Sequence, residues 1–137
     1  MTPTLGEILT GNARVIAGLA TEDGGVTYAS ARLGVVAMLS ILAAQEAEAG
    51  VAVRVRENRT ISALLTNAAA DYPIVTSGEA EAGDLTLAAL DAINATLRRH
   101  LMALHEAVEA AGDTRRDRAI LALYCDMARA HRLTLPG

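Results

Sequence analysis

A chain of 137 residues with a formal net charge of −4 fits one domain, 1–137, that can fold on its own core without a metal or a disulfide. The acidic balance argues against a nucleic-acid partner, and the single cysteine, Cys125, excludes an internal disulfide. No basic residue precedes an apolar run at the N-terminus, and the most apolar stretch, Leu33 to Ala44, carries no charge but falls short of the roughly 20 residues a bilayer needs; the expectation is a cytoplasmic protein with no membrane segment.

The first helix is expected to begin at Pro3, with Thr2 as its N-cap. Leu5, Ile8, Leu9, Asn12, Ile16 and Leu19 then recur at helical spacing. Thr21-Glu22-Asp23-Gly24-Gly25 reads as a turn, and Thr27 as the cap of a second helix. That helix is apolar on two sides. Tyr28, Val35, Leu39 and Leu42, interrupted by Arg32, form one stripe; Ser30, Gly34, Ala37, Ile41 and Ala44 form the other. From Tyr28 to Ala70 there is no proline, and the stripe Leu39, Leu42, Glu46, Gly50, Arg54, Glu57, Ile61, Leu65, Ala68 keeps its phase across Gly50. One long helix, straight or bent at Gly50, is therefore expected rather than two, since an interior glycine costs only about 1 kcal/mol.

Asp71-Tyr72-Pro73 ends this helix, because a residue before proline avoids the helical region, and Ile74 to Gly83 reads as a loop. Asp84 is the expected cap of the next helix, where Thr86, Leu90, Ile93, Leu97, Leu101, Leu104 and Val108 repeat at near-heptad spacing. Ala111-Gly112-Asp113 reads as a stop and a new cap. The last helix carries Ala119, Ile120, Leu123, Tyr124 and Met127 and ends near Arg132. All twelve cations are arginine, and Phe and Trp are missing, so small aliphatic side chains must fill the core. This composition points to a GC-rich bacterial genome.

Charge on a stripe that should be core is the chemical anomaly of the sequence. Glu46, Arg54, Glu57 and Asn58 lie in phase with aliphatic residues, and a buried charge must be paired or shift its pKa. These four, with His100 from the following helix, form the candidate ligand site; an ion pair that fixes register, or a wet stripe, gives the same pattern. His105 and Glu109 share a helix face and would need a ligand from another helix to hold a metal. No Glu-x-x-His pair occurs, so no metal or cofactor is expected. Arg115, Arg116 and Arg118 crowd a helix N-terminus, where the dipole disfavours cations, which suggests a carboxylate or phosphate partner. Cys125 is expected to be a buried, inert thiol. No catalytic motif is present, so no catalytic residue is assigned.

The fold expected is an all-α, up-and-down helical bundle of four to five helices with one long central helix. The stripe Ser30, Gly34, Ala37, Ile41 and Ala44 is the candidate seam of a homodimer. The leading functional expectation is a non-catalytic dimeric assembly or accessory protein that binds another protein. The alternative is a small-molecule or anion-binding bundle, or a weakly marked enzyme, with its pocket around Arg54, Glu57 and Asn58.

Overall fold

A computed structural model describes residues 2–22, 27–73 and 83–135. The protein is an all-α helical bundle: among the described residues there are four helices and no strand. They are α1 (Leu5–Glu22), α2 (Tyr28–Ala68), α3 (Leu87–Ala111) and α4 (Thr114–Ala130). The helix persists through Gly50, so the long central helix exists as expected. The expected turn residues Asp23, Gly24 and Gly25 lie outside the described residues, as does the expected loop from Ile74 up to Gly83.

Two expected helix starts are corrected. The α1 cap is Thr4, not Thr2: Thr4 Oγ1 accepts from the Glu7 amide at 3.2 Å, and Glu7 Oε2 accepts from the Thr4 amide at 2.8 Å. This reciprocal pair satisfies two otherwise orphaned donors and outweighs the preference for Pro3 at the first helical position. The α3 cap is Thr86, whose hydroxyl accepts from the Ala89 amide; Asp84 instead accepts from the Thr86 amide, one step upstream. The expected caps at Thr27 and Asp113 are both present, and Gly112 closes α3 at φ 68°, a left-handed conformation that glycine adopts without strain.

The chain divides into two compact units, Met1–Gly50 with Leu133–Gly137, and Val51–Arg132. In the first, Thr4 at the start of α1 meets Glu48, deep within α2, so α1 runs antiparallel to the first half of α2. Gly6 faces Glu48 so closely that a methyl group there would collide with the carboxylate, although the flexible end of that side chain can give. Gln45 ties the C-terminal segment to α2 by exchanging hydrogen bonds with the Thr134 backbone. The buried apolar residues described in this unit are Ala13, Ala37 and Ala44, and small side chains of this kind let two helix axes lie close.

In the second unit the rest of α2 packs with α3 and α4. Ile61, Leu65 and Ala68 from α2, Leu97, Leu101, Leu104 and Val108 from α3, and Ile120, Leu123 and Met127 from α4 form one core. Each fully buried large aliphatic side chain contributes about 1.5–3 kcal/mol of transfer free energy. In the near-heptad stripe of α3, Leu90, Leu97, Leu101, Leu104 and Val108 are buried as the spacing predicts, Ile93 is partly buried against the core, and Thr86 is exposed as the cap. Cys125 corrects another expectation: it is exposed, because α4 buries Ile120, Leu123 and Met127, and position 125 falls on the far side of that stripe.

Candidate functional site

Glu57 and Asn58 enter the core of the second unit with the aliphatic stripe of α2, and both are buried. Neither is left wanting. Asn94 of α3 spends one amide hydrogen on Glu57 Oε1 at 2.7 Å and the other on Asn58 Oδ1 at 2.8 Å. Asn58 Nδ2 donates to the Leu90 carbonyl at 3.1 Å. Arg98, one turn after Asn94, donates from Nε and Nη2 to Glu57 Oε1 at 3.1 and 2.7 Å. His131, at the C-terminal cap of α4, lies 2.6 Å from Glu57 Oε2; a carboxylate only accepts, so the imidazole Nε2–H donates.

The electrostatics follow from this set. Burial pushes the Glu57 carboxyl up, but hydrogen bonds from Arg98, Asn94 and His131, with the charge of Arg98, pull it below the ordinary carboxylate range. Glu57 is thus a stably ionised group whose oxygens are engaged by three side chains from two neighbouring helices. A carboxylate so held is a poor proton acceptor. Its arrangement suits a lock on the register of α2 against α3 and α4.

The sequence-derived candidates separate in the structure. Glu57 and Asn58 are joined directly through Asn94. Arg54, one turn earlier, donates from Nε to Asp91 Oδ1 at 2.6 Å, also within the second unit. Glu46 is half-buried and belongs to the first unit. His100 is half-buried on α3, on the opposite side of Leu97 from Asn94 and Arg98, and its Nδ1 is buried with no hydrogen-bond partner among the described residues. Sequence reasoning missed Asn94, Arg98 and His131. Asn94 carried a signal, since it interrupts the Leu90, Leu97, Leu101 stripe as Asn58 interrupts that of α2. His131 carried none, being 74 residues from Glu57 in sequence.

Two open grooves flank the Glu57–His131 contact. One, of about 550 Å³, is lined by Asp91, Asn94, Arg98, Tyr124, Met127, Ala128 and His131. The other, of about 440 Å³, is lined by Val53, Arg56, Glu57, Thr60, Leu123, Asp126, Met127, Arg129 and Ala130. A third, of about 760 Å³, lies where the end of α2 meets the start of α4. There Arg116 pairs with Asp71 and Asp113, and its guanidinium stands 5.4 Å from the Tyr72 ring centroid. The carboxylate partners suggested for the arginines of the α4 N-terminus are thus found within the chain for Arg116. Burial and the Asp113 carboxylate push the Tyr72 phenol up.

The candidate dimer stripe is only partly on the surface. Ala37 and Ala44 are buried within the first unit, and Ile41 is half-buried beside a groove shared with Gly6, Thr10 and Glu48. Ser30 caps α2 by accepting from the Thr27 amide, and Gly34 is exposed with open space around it. The large apolar residues left exposed on the first half of α2 lie on its other stripe: Tyr28, Val35 and Leu39, with Val36 beside them. On α1, Leu5, Ile8, Val15 and Leu19 are exposed as well. By length and composition α2 would also suffice to cross a membrane, and 17% of its most apolar window is buried.

No protein-family model, no curated protein and no solved structure matches the chain.

Proposed function

We propose that this is a non-catalytic assembly or accessory protein that acts as a homodimer, the seam formed by the exposed faces of α1 and the first half of α2. One observation carries this reading: among the described apolar residues the first unit fully buries only alanines, and it leaves Leu5, Ile8, Val15, Leu19, Val35, Val36 and Leu39 exposed. Leu5, Ile8, Asn12, Val15 and Leu19 follow one another at alternating steps of three and four residues, and so do Tyr28, Arg32, Val35, Leu39 and Leu42. That spacing is the pattern of a helix seam awaiting further helices. A second copy supplies two, and a two-fold axis lets the same patch cover itself. The polar members speak for a helical partner over lipid. Asn12 sits mid-seam, where its amide can find a partner or water in a helix interface but none in lipid. The saturated state of Glu57 favours a structural over a catalytic role. A cytoplasmic location in a bacterium accords with the composition.

Size-exclusion chromatography with light scattering tests this without detergent. The expected result is a dimer at micromolar concentration that Leu39→Asp converts to a folded monomer. A wild-type monomer, or a chain that stays in solution only with detergent, overturns the proposal.

A second reading rests on the groove beside Glu57, where Arg98 is half-exposed and His131 stands at the rim. Donors of this kind suit a small carboxylate or phosphate. Titration with inorganic phosphate, with Arg98→Gln as the variant that abolishes binding, tests it.

A further inference from the structure

On the side of α3 that meets α4, His105 Nε2 lies 3.0 Å from Asp117 Oδ1 and 3.8 Å from Glu109 Oε1. The three donor atoms all fall within 4.8 Å of one another. His105 and Glu109 stand one helical turn apart on α3, while Asp117 comes from α4, returned to this position by the tight turn at Gly112 and Asp113. The arrangement is electrostatically incomplete. One imidazole N–H faces two carboxylates, and a single proton can bridge only one of them. Among the described residues no arginine pairs with either acid. A divalent ion would satisfy all three donors at once.

We propose that His105, Glu109 and Asp117 bind Zn²⁺. Zinc takes imidazole nitrogen and carboxylate oxygen at about 2.0–2.2 Å, which sets neighbouring ligand atoms roughly 3.3 Å apart in a tetrahedral site. The two His105 separations bracket that spacing and the Glu109–Asp117 one is within 4.8 Å, so closure needs the two carboxylates to draw together by at most about 1.5 Å. Glu109 is exposed on a flexible stem and can supply the larger part of that movement. Asp117 is anchored in the early turns of α4, where its amide donates to the Asp113 carbonyl, and the Tyr124 ring packs 5.5 Å from that of His105. An imidazole ligand selects against Mg²⁺ and Ca²⁺, which prefer all-oxygen shells. Three protein ligands leave the fourth zinc position open. This inference is independent of the dimer seam, which lies in the other unit.

Isothermal titration of the tag-free full chain with ZnCl₂ tests it. The expected result is one ion per chain at micromolar Kd and no heat with MgCl₂. His105→Ala and Glu109→Gln should each weaken binding by about tenfold or more, as loss of a ligand requires. Zinc should also raise the melting temperature of the wild type and not of those variants. Glu109→Gln is an exposed, isosteric change, so it decides the matter even where His105→Ala disturbs packing. Glu106→Gln, one position outside the cluster, should bind as the wild type does. Absence of heat at about 100 µM Zn²⁺, undiminished affinity in both ligand variants, or equal loss in Glu106→Gln would each overturn the proposal.

Discussion

The unit Val51–Arg132 gathers ten apolar residues from three helices into one core, whereas the described residues of the unit formed by Met1–Gly50 and Leu133–Gly137 bury no apolar side chain larger than alanine. Both draw on the same aliphatic residues, and neither has Phe or Trp. The difference lies in which residues face inward. An alanine seam brings helix axes close but removes little apolar area from water, at about 25 cal/mol per Å². A leucine and isoleucine core removes far more, and it can then absorb a buried carboxylate, Glu57, provided neighbouring helices supply the donors. The first unit has no such surplus, and its exposed aliphatic surface is what the proposed dimer rests on.

The largest expected effect sets one unit against the other. Leu104→Ala, at a fully buried position, should lower unfolding free energy by about 2–5 kcal/mol in urea denaturation. Leu39→Ala, at an exposed one, should change the stability of the single chain by no more than about 0.5 kcal/mol. Equal costs would erase the distinction between the units.

Glu57→Ala comes next. It removes the acceptor of one Asn94 amide hydrogen, of Arg98 and of His131, and should cost about 2–3 kcal/mol. The same residue sets a pH dependence. Its carboxyl is held lower in the folded state than in the unfolded one, so its contribution is present above the unfolded value of about 4.3 and is lost as pH falls through the folded value. Glu57→Gln should flatten that acid limb in melts collected across the range. An acid limb unchanged by the substitution would show that the network is not linked to folding. A smaller loss belongs to Gly112→Ala, where a side chain at φ 68° should cost about 1 kcal/mol, measured by thermal melting.

Much of this architecture could be read from the chain because it rests on local chemistry. Heptad spacing marks the buried face of α3, Gly112 its end, and Thr27 and Asp113 the starts of α2 and α4. At α1 and α3 two candidate caps competed within a few residues, and the hydroxyl in hydrogen-bonding register won each time. The candidate site was half legible. Glu57 and Asn58 betray themselves as polar residues on an apolar stripe, but their partners belong to tertiary geometry. Arg98 looks like one more surface arginine until α3 is set beside α2. The stripes of α2 misled for a related reason. Leu39 shares the phase of Ile61 and Leu65, yet it is exposed while they are buried, because the buried positions of the first half, Ala37 and Ala44, follow a different stripe.

Cys125 has a practical corollary at the bench. It is the sole thiol in the chain and it faces outward from α4, so a maleimide fluorophore or nitroxide attaches at one defined address without prior mutagenesis. With lysine absent, amine-directed dyes find no side chain to react with. A pair of copies labelled through this thiol would report a single interspin distance, turning self-association into a spectroscopic ruler native to the polypeptide.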